Sequence, residues 1–177
     1  MQTTRVAIAA PQSTTVNQHE TMSNQAKAQR APISASAGVT PPRARILVAD
    51  DDPEMQALLQ LMLKWDGFEV LEAPNSEEML ERTLDSDPAL ILLDVMLPGV
   101  DGFEVLRRLK SDPRTCAVPV IFVSARSDQQ ARRQGLALGA ADYLEKPISL
   151  RSLISSVRAA IQRRAVTELF NSALSRA

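Results

Sequence analysis

Short, unbroken apolar runs set between stretches of helical spacing constrain this chain more than any other feature. ILVA at 46–49, LILL at 90–93 and VIFV at 120–123 each place apolar residues in direct succession. Runs of that length suit strands better than helices, and unbroken apolarity marks strands covered on both faces. Between them, leucines, methionines and valines recur every three or four positions, as on one side of a helix. We predict strands over 46–49, 68–72, 89–93, 118–123 and from 143, with helices over 53–65, 76–84, 102–110, 129–138 and from 149 onward. Ser76 is the expected N-cap of the second helix. Five βα units in about 120 residues predict an α/β fold with a doubly wound, five-stranded parallel sheet. In such sheets, chemistry gathers at the carboxyl ends of the strands.

The segment before this pattern has a different character. Residues 1–43 are rich in Ala, Gln, Ser, Thr and Pro and hold no aromatic residue. Such a stretch buries too little apolar surface to offset its ordering entropy, so we expect a disordered tail ending at Pro41-Pro42. A basic segment poor in acids also fits a transit peptide, and Met22 is an alternative start. His19, the single histidine, falls in this tail, where neither a ligand nor a base is expected. Residues 1–45 carry five basic residues against Glu20 alone, a net of +4, which leaves −5 for the rest of a chain whose total is −1. An acidic core argues against a broad nucleic-acid-binding face. A single cysteine, Cys116, allows no internal disulfide, and no apolar run reaches the roughly 18 residues of a membrane span. A cytoplasmic setting is therefore expected.

Polar groups then fall at the strand ends. Asp50, Asp51 and Asp52 follow the first strand, Asp94 follows LILL, Ser124 ends VIFVS and Lys146 ends DYLEK. Adjacent carboxylates about 4 Å apart repel by roughly 4 kcal/mol at an effective dielectric near 20, so something must offset the cluster. Asp52 before Pro53 reads first as an N-cap with proline at N1. Asp50 and Asp51 still need a counter-ion, and Asp94 after four apolar residues is costly unless it is paired or reactive. Oxygen ligands without histidine or cysteine suit a hard cation such as Mg²⁺ rather than zinc. With Lys146 alongside, such a site could receive a phosphoryl group on a carboxylate.

With ILVADDDP, LILLDVMLPGVDGFEVLRRLK, VPVIFVSA and GAADYLEKP in order, the chain over about 44–164 resembles the receiver domain of bacterial response regulators. The resemblance implies a flavodoxin-like (βα)5 fold with strand order 2-1-3-4-5. It implies Asp94 as the phospho-acceptor, with Asp50, Asp51, Asp94 and the backbone carbonyl of Met96 holding Mg²⁺. Ser124 and Lys146 would hold the phosphoryl group, and Lys146–Pro147 would be cis. Tyr143 matches the family's switch aromatic; its other reading is a half-buried strand tyrosine. Ala49 and Ser124 stand where Val and Thr are frequent, and neither change removes a needed group. Ala125 leaves room for a phosphodonor, while Met96 and Arg126 occupy positions that tune dephosphorylation. The implied partners are a sensor histidine kinase or phosphotransfer protein and a downstream protein target.

The end of the chain is open to two readings. Residues 165–177 contain no Pro or Gly, and Val166, Leu169, Phe170 and Leu174 form either an exposed apolar face, for a partner or a homodimer, or a frayed tail. About 13 residues after Arg164 are too few for a DNA-binding domain. A non-enzymatic signalling switch is the expected function. The competing class is an aspartyl-phosphate phosphatase of haloacid-dehalogenase type, and Asp94-Val95-Met96 lacks that class's second acid. A phosphorylation-independent interaction module is the other alternative.

Overall fold

The computed structural model describes residues 43–176. The expectations for the tail, for His19 and for Met22 lie outside the described residues, apart from Arg43 at the boundary. The strands are β1 (Arg45–Ala49), β2 (Glu69–Ala73), β3 (Leu90–Leu93), β4 (Val120–Ser124) and β5 (Asp142–Glu145). The helices are α1 (Pro53–Trp65), α2 (Ser76–Ser86), α3 (Gly102–Ser111), α4 (Gln129–Ala137) and α5 (Leu150–Leu174). All strands pair in parallel in the order β2-β1-β3-β4-β5, which is the expected doubly wound sheet.

Strand alternation sorts the core into two layers. Leu47, Ile91, Leu93 and Phe122 pack with Met79 of α2 and with Phe103 and Leu106 of α3. Ile46, Val48, Leu92 and Val123 face the other way, against Leu59 and Leu63 of α1 and Leu153 and Val157 of α5. Consecutive strand residues are therefore buried on both sides, the physical origin of the unbroken apolar runs.

Most element ends fall within one or two residues of expectation, and three departures have an identifiable physical cause. β4 starts at Val120 rather than at 118, because Pro119 has no N–H for the ladder and contributes only its carbonyl, to Ile91 N. β2 begins at Glu69, since Phe68 N closes α1 on Leu63 O, with Gly67 at φ +92° between them. That pair of bonds, with Gly67 N on Lys64 O, is a Schellman ending, where only glycine adopts the left-handed turn without strain. The third correction concerns Ser76, which is not a cap. Asn75 caps α2 by accepting from Glu78 N at 2.9 Å, and Ser76 is buried in the first turn with no hydrogen-bond partner for its hydroxyl. α5 runs unbroken through Arg163 and Arg164 to Leu174, so this segment is helical rather than frayed. Among the described residues, no helix is long and apolar enough to cross a membrane.

Candidate functional site

The carboxyl ends of β1, β3, β4 and β5 lie side by side, and the polar residues that follow them converge. Asp50 and Asp94 are 1% and 6% exposed, values at which a carboxylate needs a partner. Lys146 supplies it. Its ammonium donates to Asp50 Oδ2 at 2.7 Å and to Asp94 Oδ2 at 2.6 Å, across 96 and 52 residues of sequence. Asp94 Oδ1 accepts from Met96 N at 2.9 Å and from the Ser124 hydroxyl at 3.2 Å. Both oxygens of Asp94 are thus held by donors from three different segments. Asp51 is exposed at the mouth of the site.

The electrostatics follow from burial and from this one cation. Burial pushes the Asp50 carboxyl above the ordinary aspartate range, and bonds from Lys146 and from Asp52 N only partly oppose it. Burial would lower Lys146, but its two carboxylate partners outweigh it and hold the ammonium above the ordinary lysine value. Three acids against one lysine leave the cluster net negative. Asp50, Asp51 and Asp94 each offer an oxygen, all within 4.8 Å of one another. Closely set, oxygen-only donors with surplus negative charge fit a hard divalent cation of the Mg²⁺ kind.

Asp52, by contrast, is a cap. Its carboxylate accepts from Glu54 N at 2.9 Å, and Pro53 occupies the first helical position. Tyr143 is 2% exposed, so the half-buried reading does not hold. Its ring lies 5.7 Å from that of Phe122, and its hydroxyl donates to Arg126 O at 2.6 Å. Burial raises its phenol above the ordinary tyrosine value. Met96 is 68% exposed and touches Asp94 through its backbone. Beside it an open cleft of about 550 Å³ is lined by Val95, Met96, Leu97, Asp101 and Arg126. The Lys146–Pro147 peptide is cis.

Two positioning residues were not anticipated. Gln56 donates from its side chain to Asp50 O at 2.5 Å, tying the start of the acidic loop to α1. Gly102 packs so closely under the Asp94 loop that a Cβ there would lie 2.5 Å from Asp94 O and 2.9 Å from Val95 Cα. Its N–H donates to Val95 O at 2.9 Å. The signal for Gly102 was its place one residue after the capping Asp101, where a side chain would be ordinary. Gln56 left no pattern to find.

The response regulator receiver domain family matches residues 46–158. The phosphate regulon transcriptional regulatory protein PhoB of Pseudomonas aeruginosa is 40% identical over 118 residues, 67% of this chain and 52% of that protein. The DNA-binding dual master transcriptional regulator RpaA of Synechocystis is 40% identical over 119 residues, 67% of this chain and 49% of that protein. The chain thus spans about half the length of these relatives. Among solved structures, a CheY-like response regulator receiver domain protein from Methanospirillum hungatei has a TM-score of 0.66 at 25% identity, over 71% of this chain and 98% of that one. A Francisella response regulator receiver domain has a TM-score of 0.64 at 30% identity, over 68% of this chain and 98% of that one. With the site geometry, the sheet order and these likenesses in agreement, the chain belongs to the response regulator receiver domain family of two-component signal transduction.

Proposed function

We propose that this receiver is a phosphorylation switch in which Asp94 accepts a phosphoryl group from the phosphohistidine of a kinase or phosphotransfer protein. The observation that carries the reading is the pair of hydrogen bonds that Lys146 donates to Asp50 and Asp94, with Ser124 donating to the other oxygen of Asp94. A carboxylate oxygen of Asp94 attacks phosphorus as the phosphorus–nitrogen bond of the donor breaks, and the bonding pair returns to the imidazole nitrogen. Lys146 and the Ser124 hydroxyl are placed to bond the oxygens of the transferred group. Asp50, Asp51, Asp94 and the Met96 carbonyl would hold Mg²⁺, which supplies charge neutralisation at the phosphoryl oxygens when bound. The open cleft beside Met96 and the small Ala125 leave a path for the donor.

Readout proceeds through Ser124 and Tyr143. Ser124 accepts from Arg126 N at 3.3 Å, and Arg126 O in turn accepts from the Tyr143 hydroxyl. A phosphoryl group that draws on the Ser124 hydroxyl acts on this short chain and, through it, on the surface formed by α4 and β5. Output is then protein–protein contact with a downstream target rather than turnover of an external substrate.

The test is intact-mass spectrometry after incubation with acetyl phosphate and Mg²⁺. One added phosphoryl group on the wild type, absent from Asp94→Asn and absent with EDTA, is the expected result. No added mass on the wild type, or equal mass on Asp94→Asn, overturns the reading.

A further inference from the structure

The three acids that could hold a divalent ion are not held alike. Lys146 grips the carboxylates of Asp50 and Asp94, and Ser124 and Met96 N also bond that of Asp94. Asp51 is exposed, and among the described residues no hydrogen bond reaches its carboxylate. One of its oxygens nevertheless lies within 4.8 Å of oxygens of Asp50 and Asp94. The backbone therefore sets that placement. Asp50 O, one residue beyond β1, accepts from the Gln56 side chain at 2.5 Å, which orients the peptide plane between residues 50 and 51. Asp52 N donates to Asp50 Oδ1 at 3.0 Å, which orients the plane between residues 51 and 52. Those two planes meet at Asp51 Cα. Gln56 is itself fixed in the first turn of α1, where its N–H donates to Asp52 O at 2.9 Å. A longer contact of 3.5 Å runs from its side chain to Ala73 O at the end of β2.

We propose that Gln56 is a positioning residue for the divalent ion and acts through Asp51. The inference rests on Asp50, Asp51 and Asp94 being the metal-holding set. Without the Gln56 amide, the plane between residues 50 and 51 turns about the Asp50 ψ and Asp51 φ bonds, and the Asp51 carboxylate swings with it. Binding constellations tolerate misplacement of only about 0.5 Å, so a small turn is enough to matter. Asp50 and Asp94 keep their own side-chain donors when Gln56 changes, so the loss falls on Asp51. Groups that orient metal ligands typically contribute about tenfold or more to metal affinity. A side chain that only joined α1 to the sheet would add stability and leave metal affinity where it was.

Mn²⁺, which shares the oxygen preference of Mg²⁺, tests this on the full chain, wild type against Gln56→Met. Methionine matches glutamine in length and helix propensity but donates no hydrogen bond, so the fold is kept, which circular dichroism verifies. Electron paramagnetic resonance counts the free ion, and ¹⁵N relaxation without metal gives the amide order parameter of Asp51. The expected dissociation constant is about tenfold higher in the variant. The Asp51 order parameter is expected to fall from about 0.85 toward about 0.6 while that of Asp94 holds. An altered dissociation constant with Asp51 as rigid as in the wild type overturns the route through Asp51. A wild type without saturable binding contradicts the metal-holding set itself and this inference with it. A wild type that binds, beside a variant that binds equally well, overturns this inference alone.

Discussion

Asp50 and Asp52 stand two residues apart, one in the strand-end cluster and one at a helix start, and the two regions use the same side chain in opposite ways. At the helix starts Asp52, Asp101 and Asp128 accept backbone N–H groups of α1, α3 and α4 at 2.9, 2.8 and 2.7 Å. They are exposed, they satisfy donors that the helix itself leaves open, and they stabilise the fold. At the strand ends Asp50 and Asp94 are buried beside each other and share a single cation, Lys146. A carboxylate helps the fold at a helix start and strains it at a strand end. Such strain is what a site carries when its chemistry needs charge in a poorly solvated place.

This contrast can be broken or sharpened by substitution. The largest expected effect is from Lys146→Met, which leaves two buried carboxylates facing each other without a cation. A loss of about 3 kcal/mol in Mg²⁺-free buffer is expected, partly restored by millimolar Mg²⁺, and urea denaturation with and without the metal measures both. Gly102→Ala forces the Asp94–Val95 backbone away from its 2.5 Å and 2.9 Å approaches. A cost on the order of 2 kcal/mol is expected by thermal denaturation, together with slower acceptance of phosphoryl from acetyl phosphate.

Asp50→Asn should do the reverse for stability. Removing one of two like charges raises stability by about 1 kcal/mol without metal while abolishing Mg²⁺-dependent phosphorylation. The pH dependence has a definite sign. Asp50 titrates above its unfolded value of 3.8 in the folded protein, so its protonation favours the fold. That stability is fully present below pH 3.8 and is lost as pH rises through the higher folded value. The advantage of Asp50→Asn over wild type is therefore greatest at neutral pH and shrinks as pH falls toward 3.8, as paired melts would show. An effect confined to stability belongs to a cap: Asp101→Ala should cost about 1 kcal/mol and leave the phosphoryl stoichiometry unchanged by intact mass.

The sheet was legible because burial on both faces writes itself as unbroken apolar runs, and β1, β3 and β4 were found that way. The acids and Lys146 were legible for a related reason: a charge at the end of such a run has no structural excuse. Legibility failed where backbone geometry decides. Pro119 delays β4 by withholding an N–H, so the apolar run at 118–123 begins two residues before the strand does. Asn75 outcompetes Ser76 as cap because Glu78 N lies within reach of its side chain, and the Asn75-x-x-Glu78 spacing was the clue. Gly102 matters through an approach that only three-dimensional packing creates.

The central claim is that Asp94, alone among the clustered acids, carries the phosphoryl group. Borohydride converts an acyl phosphate on aspartate to homoserine, which tandem mass spectrometry locates within a peptide. After incubation with acetyl phosphate and Mg²⁺, the account predicts homoserine at position 94 and unmodified aspartate at 50, 51 and 52. Homoserine at any of those three positions, or at none, contradicts it.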